Sequence, residues 1–264
     1  RRKLKKESPM KNQPKLTVVG AGPGDIDLIT LKAIKALEQA DVVLYDALVN
    51  NELLGYVNPK AELIFVGKRR GWYSYQQEQI NEWIVARGLS HGHVVRLKGG
   101  DPFIFGRGAE EMEYAAKHGL EVAVVPGISS SLAVPAYQNI PLTKRGSSES
   151  FWVITGTTKQ HQLSNDVALA AKSSATVVIL MGMGKLSEII QLFKQEGKNE
   201  LPVAIIQNGT TPEEKIGIGT VDTIEEVVAK NNLSNPAIIV LGDVVNHRQQ
   251  LHQVQQEAVL KEVV

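Results

Sequence analysis

Short β-branched runs separated by stretches with helical spacing constrain this chain more than any other feature. Runs at residues 16–20, 41–45, 62–66, 93–97 and 121–125 alternate with helix-like segments at 28–39, 76–87 and 109–118. Strands alternating with helices imply parallel pairing through crossover connections. Leu16-Thr17-Val18-Val19 and Val122-Ala123-Val124-Val125 read as strands buried on both faces.

A composition shift follows at residues 138–150, where Pro141, Gly146 and several serines replace the periodicity. Such a stretch suits an inter-domain linker. A new set of strands is expected at 151–155, 176–181, 203–207, 215–219 and 237–241, with helices at 185–195 and 224–229. The strands clustered after Pro202 imply a mixed sheet with a hairpin somewhere between residues 203 and 219. The expected organisation is α/β, in two α/β domains: a basic tail at 1–14, a domain at 15–140, a linker at 141–150, a second domain at 151–248 and a C-terminal tail at 249–264. The natural ligand site of such a pair is the cleft between them.

Composition removes several classes. A length of 264 residues, 43% hydrophobic and 22% charged, suits a globular chain with a sizeable core. The net charge of +1 announces neither a nucleic-acid nor a membrane partner. The absence of cysteine excludes disulfides and thiolate chemistry and suits a cytoplasmic protein. Arg1-Arg2-Lys3-Leu4-Lys5-Lys6 has no apolar core behind it, so it reads as a solvated tail or the remnant of a longer chain rather than a signal peptide. His91, His93, His118, His161, His247 and His252 lack metal-ligand spacing, and no metal is expected.

The strand ends carry the chemistry. Gly99-Gly100-Asp101-Pro102-Phe103-Ile104-Phe105-Gly106-Arg107-Gly108 follows a strand and opens a helix. Its paired glycines let backbone approach a ligand closely, at the edge of an open α/β sheet where ligands collect. Gly20-Ala21-Gly22-Pro23-Gly24-Asp25 closes the first strand but has Asp25 where a dinucleotide fingerprint needs its third glycine. Asp46 follows the second strand, and Lys68, Arg69 and Arg70 follow the third. With Arg96, Lys98, Arg107, Lys144 and Arg145, these cations read as a basic rim suited to a polyanionic small ligand. Met181 and the Asn208-Gly209-Thr210 turn end later strands.

Taken in order, the segments resemble the tetrapyrrole methylase family, and within it the members that methylate uroporphyrinogen III. The carriers are Val18-Val19-Gly20-Ala21-Gly22-Pro23-Gly24-Asp25, Tyr45-Asp46-Ala47-Leu48-Val49, Gly67-Lys68-Arg69 and the stretch from Arg96 to Gly108. Val125-Pro126-Gly127-Ile128-Ser129-Ser130, Ile140-Pro141-Leu142-Thr143, Met181-Gly182 and Asn208-Gly209-Thr210 complete them. The resemblance implies S-adenosylmethionine (SAM) as methyl donor, with contacts from Pro23, Gly99, Gly100, Asp101, Ile104, Ser129, Ser130, Met181 and Gly209. It implies methylation of uroporphyrinogen III at C2 and C7 to give precorrin-2, in a homodimer. Asp46 is then the proton acceptor and Lys68 a proton donor. Arg107 and Glu110 handle substrate and protons, and Arg69, Arg107 and Arg145 bind the substrate's carboxylates. Departures from the family pattern at Gly71-Trp72-Tyr73-Ser74-Tyr75 and at Lys144 fall on substrate-side positions. The alternatives are another precorrin C-methyltransferase, a nicotinamide-dependent oxidoreductase using the first glycine loop, and a binding module without catalysis.

Overall fold

Five strands make the first sheet: β1 (Lys15–Gly20), β2 (Val42–Tyr45), β3 (Glu62–Phe65), β4 (His93–Lys98) and β5 (Glu121–Val125). They pair in the order β3-β2-β4-β1-β5, and every pairing is parallel. The computed structural model describes residues 13–67 and 76–262, so residues 1–12 of the expected basic tail lie outside the described chain.

Strand alternation sorts the side chains of this sheet between two faces. Val19, Val43, Val95, Leu97 and Val125 share a buried cluster with Ala33 and Leu37 of α1 (Leu31–Glu38) and with Leu53. Leu16, Val18, Val42, Leu44 and Val94 share another with Ile80 and Ile84 of α2 (Gln77–His91) and Ala115 of α3 (Gly108–Lys117). Both faces are therefore covered, which is why these strands read as apolar runs. Thr30 caps α1, its Oγ1 accepting from the Ala33 N–H at 3.1 Å, and a reciprocal Gln76–Gln79 pair starts α2. β1 leads through α1 on one face to β2, while its neighbour β4 leads through α3 on the other face to β5. The winding thus reverses between β1 and β4, which is where an open α/β sheet leaves a crevice at its carboxyl edge.

The second sheet contains β6 (Phe151–Thr155), β7 (Thr176–Leu180), β8 (Pro202–Gln207), β9 (Lys215–Thr220) and β10 (Ala237–Leu241), in the order β6-β7-β10-β8-β9. Only β6 and β7 pair in parallel; β10 runs against β7 and β8, and β8 and β9 form the expected hairpin. On one face α5 (Asp166–Lys172), α6 (Leu186–Gln195) and α7 (Ile224–Lys230) supply Val167, Ile189, Phe193 and Ile224 to the larger cluster. On the other face Val134 of α4 (Ser130–Tyr137), Ile140 and Val244 pack with Val178, Ala204 and Val240. A final helix, α8, spans His247–Glu262.

Two compact units result, Arg1–Ile128 and Ser129–Val264. The polar stretch at 138–150 lies within the second of them. Ile140 is buried in the α4-side cluster, and Ser148 Oγ accepts from the Thr176 N–H at 3.1 Å. Among the described residues, no helix is long and apolar enough to cross a membrane.

Candidate active site

Parallel strands end at a common edge, so the loops after β1, β2, β4 and β5 lie along one side of the first sheet. At the β1/β4 reversal the two glycine loops meet: the Gly22 N–H donates to the Gly100 carbonyl at 3.2 Å, and the Gly100 N–H donates to the Gly22 carbonyl at 2.7 Å. Beside them a Cβ on Gly20 would stand 2.4 Å from the Gly127 nitrogen, and one on Gly127 would stand 2.3 Å from the Gly100 oxygen. Glycine is required at 20 and 127 because backbone already fills that space. Asp101 closes the arrangement, its Oδ1 accepting from the Phe103 N–H at 2.8 Å and its Oδ2 from the Gly127 N–H at 3.1 Å. The carboxylate that the resemblance places among the SAM contacts therefore also ties the β4 loop to the β5 loop.

Gly99 lies against the β2 loop, where its Cβ would meet that of Leu48 at 2.7 Å. Asn50 Nδ2 donates to the Gly24 carbonyl at 2.9 Å, joining that loop to the one holding the half-buried Pro23. Ile104 is 43% exposed, and Phe103 and Phe105 beside it are exposed as well. An exposed apolar ridge thus borders the interlocked loops.

Asp46 sits one residue beyond β2. Its Oδ1 accepts from the Leu48 N–H at 3.0 Å, and its Oδ2 lies 3.6 Å from Arg96 Nη2. Arg96 is not part of a solvent-facing rim: it is 4% exposed, and Lys98 is 5% exposed. That corrects the sequence expectation, and the reason is strand geometry. Val94, Arg96 and Lys98 share one face of β4, the face that α2 and α3 cover. The cations are matched there by Glu111 of α3, which is 0% exposed. Glu111 Oε1 accepts from Arg96 Nε, Lys98 Nζ and Gln77 Nε2, each at 3.2 Å, while its Oε2 has no hydrogen-bond partner among the described residues. Gln77 also donates to Asn81 Oδ1 at 3.0 Å. Arg96 Nη1 donates to the Leu97 carbonyl at 2.9 Å and reaches the Leu44 carbonyl at 3.5 Å. Burial, and then the neighbouring Arg96 charge, pull the Lys98 ammonium below the ordinary lysine value, with Glu111 opposing them. Glu111 was not singled out from the sequence. The available signal was a pair of cations at i and i+2 on an otherwise apolar strand, which need a buried anion from whatever helix covers them.

Arg107 and Glu110 come together at the start of α3, as their spacing predicts. Arg107 takes a left-handed backbone, φ 61°, and its Nε donates to both Glu110 oxygens at 3.1 and 3.0 Å. The hydrogen bond to Glu110 raises the Arg107 pKa above the ordinary arginine value. Lys68 and Arg69 lie outside the described residues.

In the second unit, Ser129 caps α4: its Oγ accepts from the Ser131 N–H at 3.3 Å and bonds the Ser131 hydroxyl at 2.8 Å. Ser130 opens the helix. Gly209, between Asn208 and Thr210 with their positive φ, abuts that helix, since its Cβ would lie 2.3 Å from Val134 Cγ1. Met181 follows β7 directly, in a left-handed conformation, φ 56°, with 49% of its surface exposed, and its carbonyl accepts from Thr157 Oγ1 at 2.9 Å. Arg145 is exposed in the tight turn closed by the Lys144–Ser148 bridge. Among the described residues no cluster of His, Cys, Asp or Glu could hold a metal ion.

A winding reversal lined by interlocked glycine loops, with a carboxylate at the adjacent strand end, defines a small-molecule site of α/β type. The chain belongs to the tetrapyrrole (corrin/porphyrin) methylases, whose family model matches residues 15–225. Over 234 residues it is 46% identical to a uroporphyrinogen-III C-methyltransferase of Methanocaldococcus jannaschii, covering 88% of this chain and 97% of the relative. It is 47% identical to the enzyme of the same name from Synechocystis sp., covering 90% of this chain and 92% of the relative. A crystal structure of uroporphyrin-III C-methyl transferase from Thermus thermophilus in complex with S-adenyl homocysteine superposes with a TM-score of 0.76. That chain is 36% identical, and the match covers 88% of this chain and 99% of the other.

Proposed function

We propose that this chain is a SAM-dependent uroporphyrinogen-III C-methyltransferase that methylates C2 and then C7 to give precorrin-2. The observation that carries the reading is Asp46, a carboxylate fixed at the carboxyl edge of a parallel sheet beside the interlocked Gly22, Gly100 and Asp101 loops. The described residues suit such a donor: Ile104 and Met181 expose apolar surface for a nucleobase, and Asp101 supplies negative charge for a sulfonium. Pro23, Gly99, Gly100, Ser129, Ser130 and Gly209 complete the proposed donor contacts.

When bound, SAM supplies an electrophilic methyl group on sulfur. The ring carbon is already electron-rich, so the protein's task is alignment followed by proton removal. As the carbon–methyl bond forms and the sulfur–methyl bond breaks, the proton lost from the macrocycle passes to Asp46 Oδ, and the thioether leaves. Arg107, Arg145 and Arg69 hold the substrate's carboxylates, for which a guanidinium fork is the matched partner. Glu110 fixes the direction of the Arg107 guanidinium. Lys68 acts as a proton donor. The homodimer and the cytoplasmic compartment belong to the same reading.

The test is anaerobic incubation of the purified protein with SAM and uroporphyrinogen III, read by mass and absorbance. A product heavier by two methyl groups is expected. SAM binding without transfer would move the substrate to another tetrapyrrole, and no SAM binding would overturn the reading.

A further inference from the structure

We infer that Glu111, acting through Arg96, is a positioning residue for the Asp46 carboxylate. The inference rests on the proposed role of Asp46 as proton acceptor. Asp46 lies in the loop just beyond β2 with 23% of its side chain exposed, so on its own it would rotate about χ1 and χ2. One oxygen is pinned by the Leu48 N–H and the other faces Arg96 Nη2. The direction of that guanidinium is in turn set from behind. Its Nε is held by Glu111, and its Nη1 by the Leu97 carbonyl, with the Leu44 carbonyl of β2 within reach. With those donors turned inward, the planar fork leaves Nη2 to face Asp46.

Glu111 is costly in this place. It is fully buried, it spends one oxygen on three donors, and its Oε2 is unpartnered among the described residues. Pairing two cations for stability alone would favour both oxygens being satisfied, and apolar residues of similar volume would often serve as well. The loading of Oε1 instead links three elements to one point: β4 through Arg96 and Lys98, α2 through Gln77, and α3 through Glu111 itself. That point stands directly behind the Asp46–Arg96 contact.

The experiment is a double-mutant cycle between Glu111→Gln and Asp46→Asn, read in single-turnover methyl transfer and in calorimetric SAM binding. Glu111→Gln keeps the volume and loses the charge. It is expected to lower the transfer rate about tenfold with SAM affinity unchanged, and to have almost no further effect when Asp46 is already Asn. Equal losses in both backgrounds, or no loss in the single variant, would overturn the inference. If Asp46→Asn alone transfers at the wild-type rate, the assignment of Asp46 falls and the inference falls with it. Because Glu111→Gln leaves two buried cations underpaired and can impair folding, the same substitution is also made on a Lys98→Met background, which restores charge balance. Lys98→Met/Glu111→Gln should transfer about tenfold more slowly than Lys98→Met. Equal rates there would mean that Glu111 only balances charge, and would sink the idea.

Discussion

At the scale of single residues, the interlock after β1, β4 and β5 sets the tightest demands. Gly127→Ala places a methyl group inside the van der Waals shell of the Gly100 oxygen and the Gly20 backbone. We expect a loss of about 3 kcal/mol in denaturant unfolding, the range typical of overpacking against atoms that cannot yield. Asp101→Ala removes the acceptor of two backbone N–H groups. Calorimetric titration should then find weakened SAM binding, and unchanged affinity would confine Asp101 to holding the loops. His93 carries a pH signature. Its Nδ1–H donates to the Gln39 carbonyl at 3.0 Å, so in the neutral ring Nε2 accepts from the Thr17 hydroxyl at 2.8 Å. Burial lowers its pKa below 6.5, against the raising hydrogen bond to Gln39. A pKa depressed on folding means that the unfolded chain binds more protons. This contribution is present above pH 6.5 and is lost as pH falls through the folded value. The wild-type melting temperature should therefore drop between about pH 7 and pH 5 more steeply than that of His93→Gln.

At the scale of elements, the strands were legible almost residue by residue, because both sheets are covered on both faces and their strands read as apolar runs bounded by turns. Two helices were not. α4 (Ser-Ser-Leu-Ala-Val-Pro-Ala-Tyr) carries Pro135, which cannot donate to the carbonyl four residues back. α5 is only a short run of small residues. Both form because tertiary packing favours them, Val134 and Val167 each reaching a buried cluster. The candidate site was legible where it consists of loops. It was misread where it consists of a strand face, since whether Arg96 and Lys98 look outward depends on where α3 lies. A prediction belongs to α4. Gly209→Ala drives a methyl group into Val134 and should cost about 1–3 kcal/mol in denaturant unfolding. Val134→Ala in the same chain should recover much of that loss, so the pair would be strongly non-additive. Simple addition would mean that the turn moves away from the helix instead.

At the scale of the whole molecule, each buried cluster draws on one unit only, two on the first and two on the second. A core truncation such as Phe193→Ala should therefore act on the second unit's own stability, by about 3–5 kcal/mol. Ligand binding supplies the complementary test. At about 100 times its dissociation constant, SAM should stabilise the fold by about 2.7 kcal/mol in thermal unfolding, whereas reduced nicotinamide cofactors should leave the melting temperature where it was. The reverse pattern would point to an oxidoreductase. The interlock of Gly20, Gly100 and Gly127 also decides which stretches are free to drift. Gly20 and Gly127 are each hemmed in by the backbone of another member, and Gly100 takes a left-handed φ of 67°, so a side chain at any of the three is poorly absorbed and a saturation library should return them nearly invariant. Variation should collect instead at positions such as Phe103, whose exposed side chain carries no such obligation. Any retuning of what the protein accepts then has to be written outside the interlock, around a frame that cannot be edited one letter at a time.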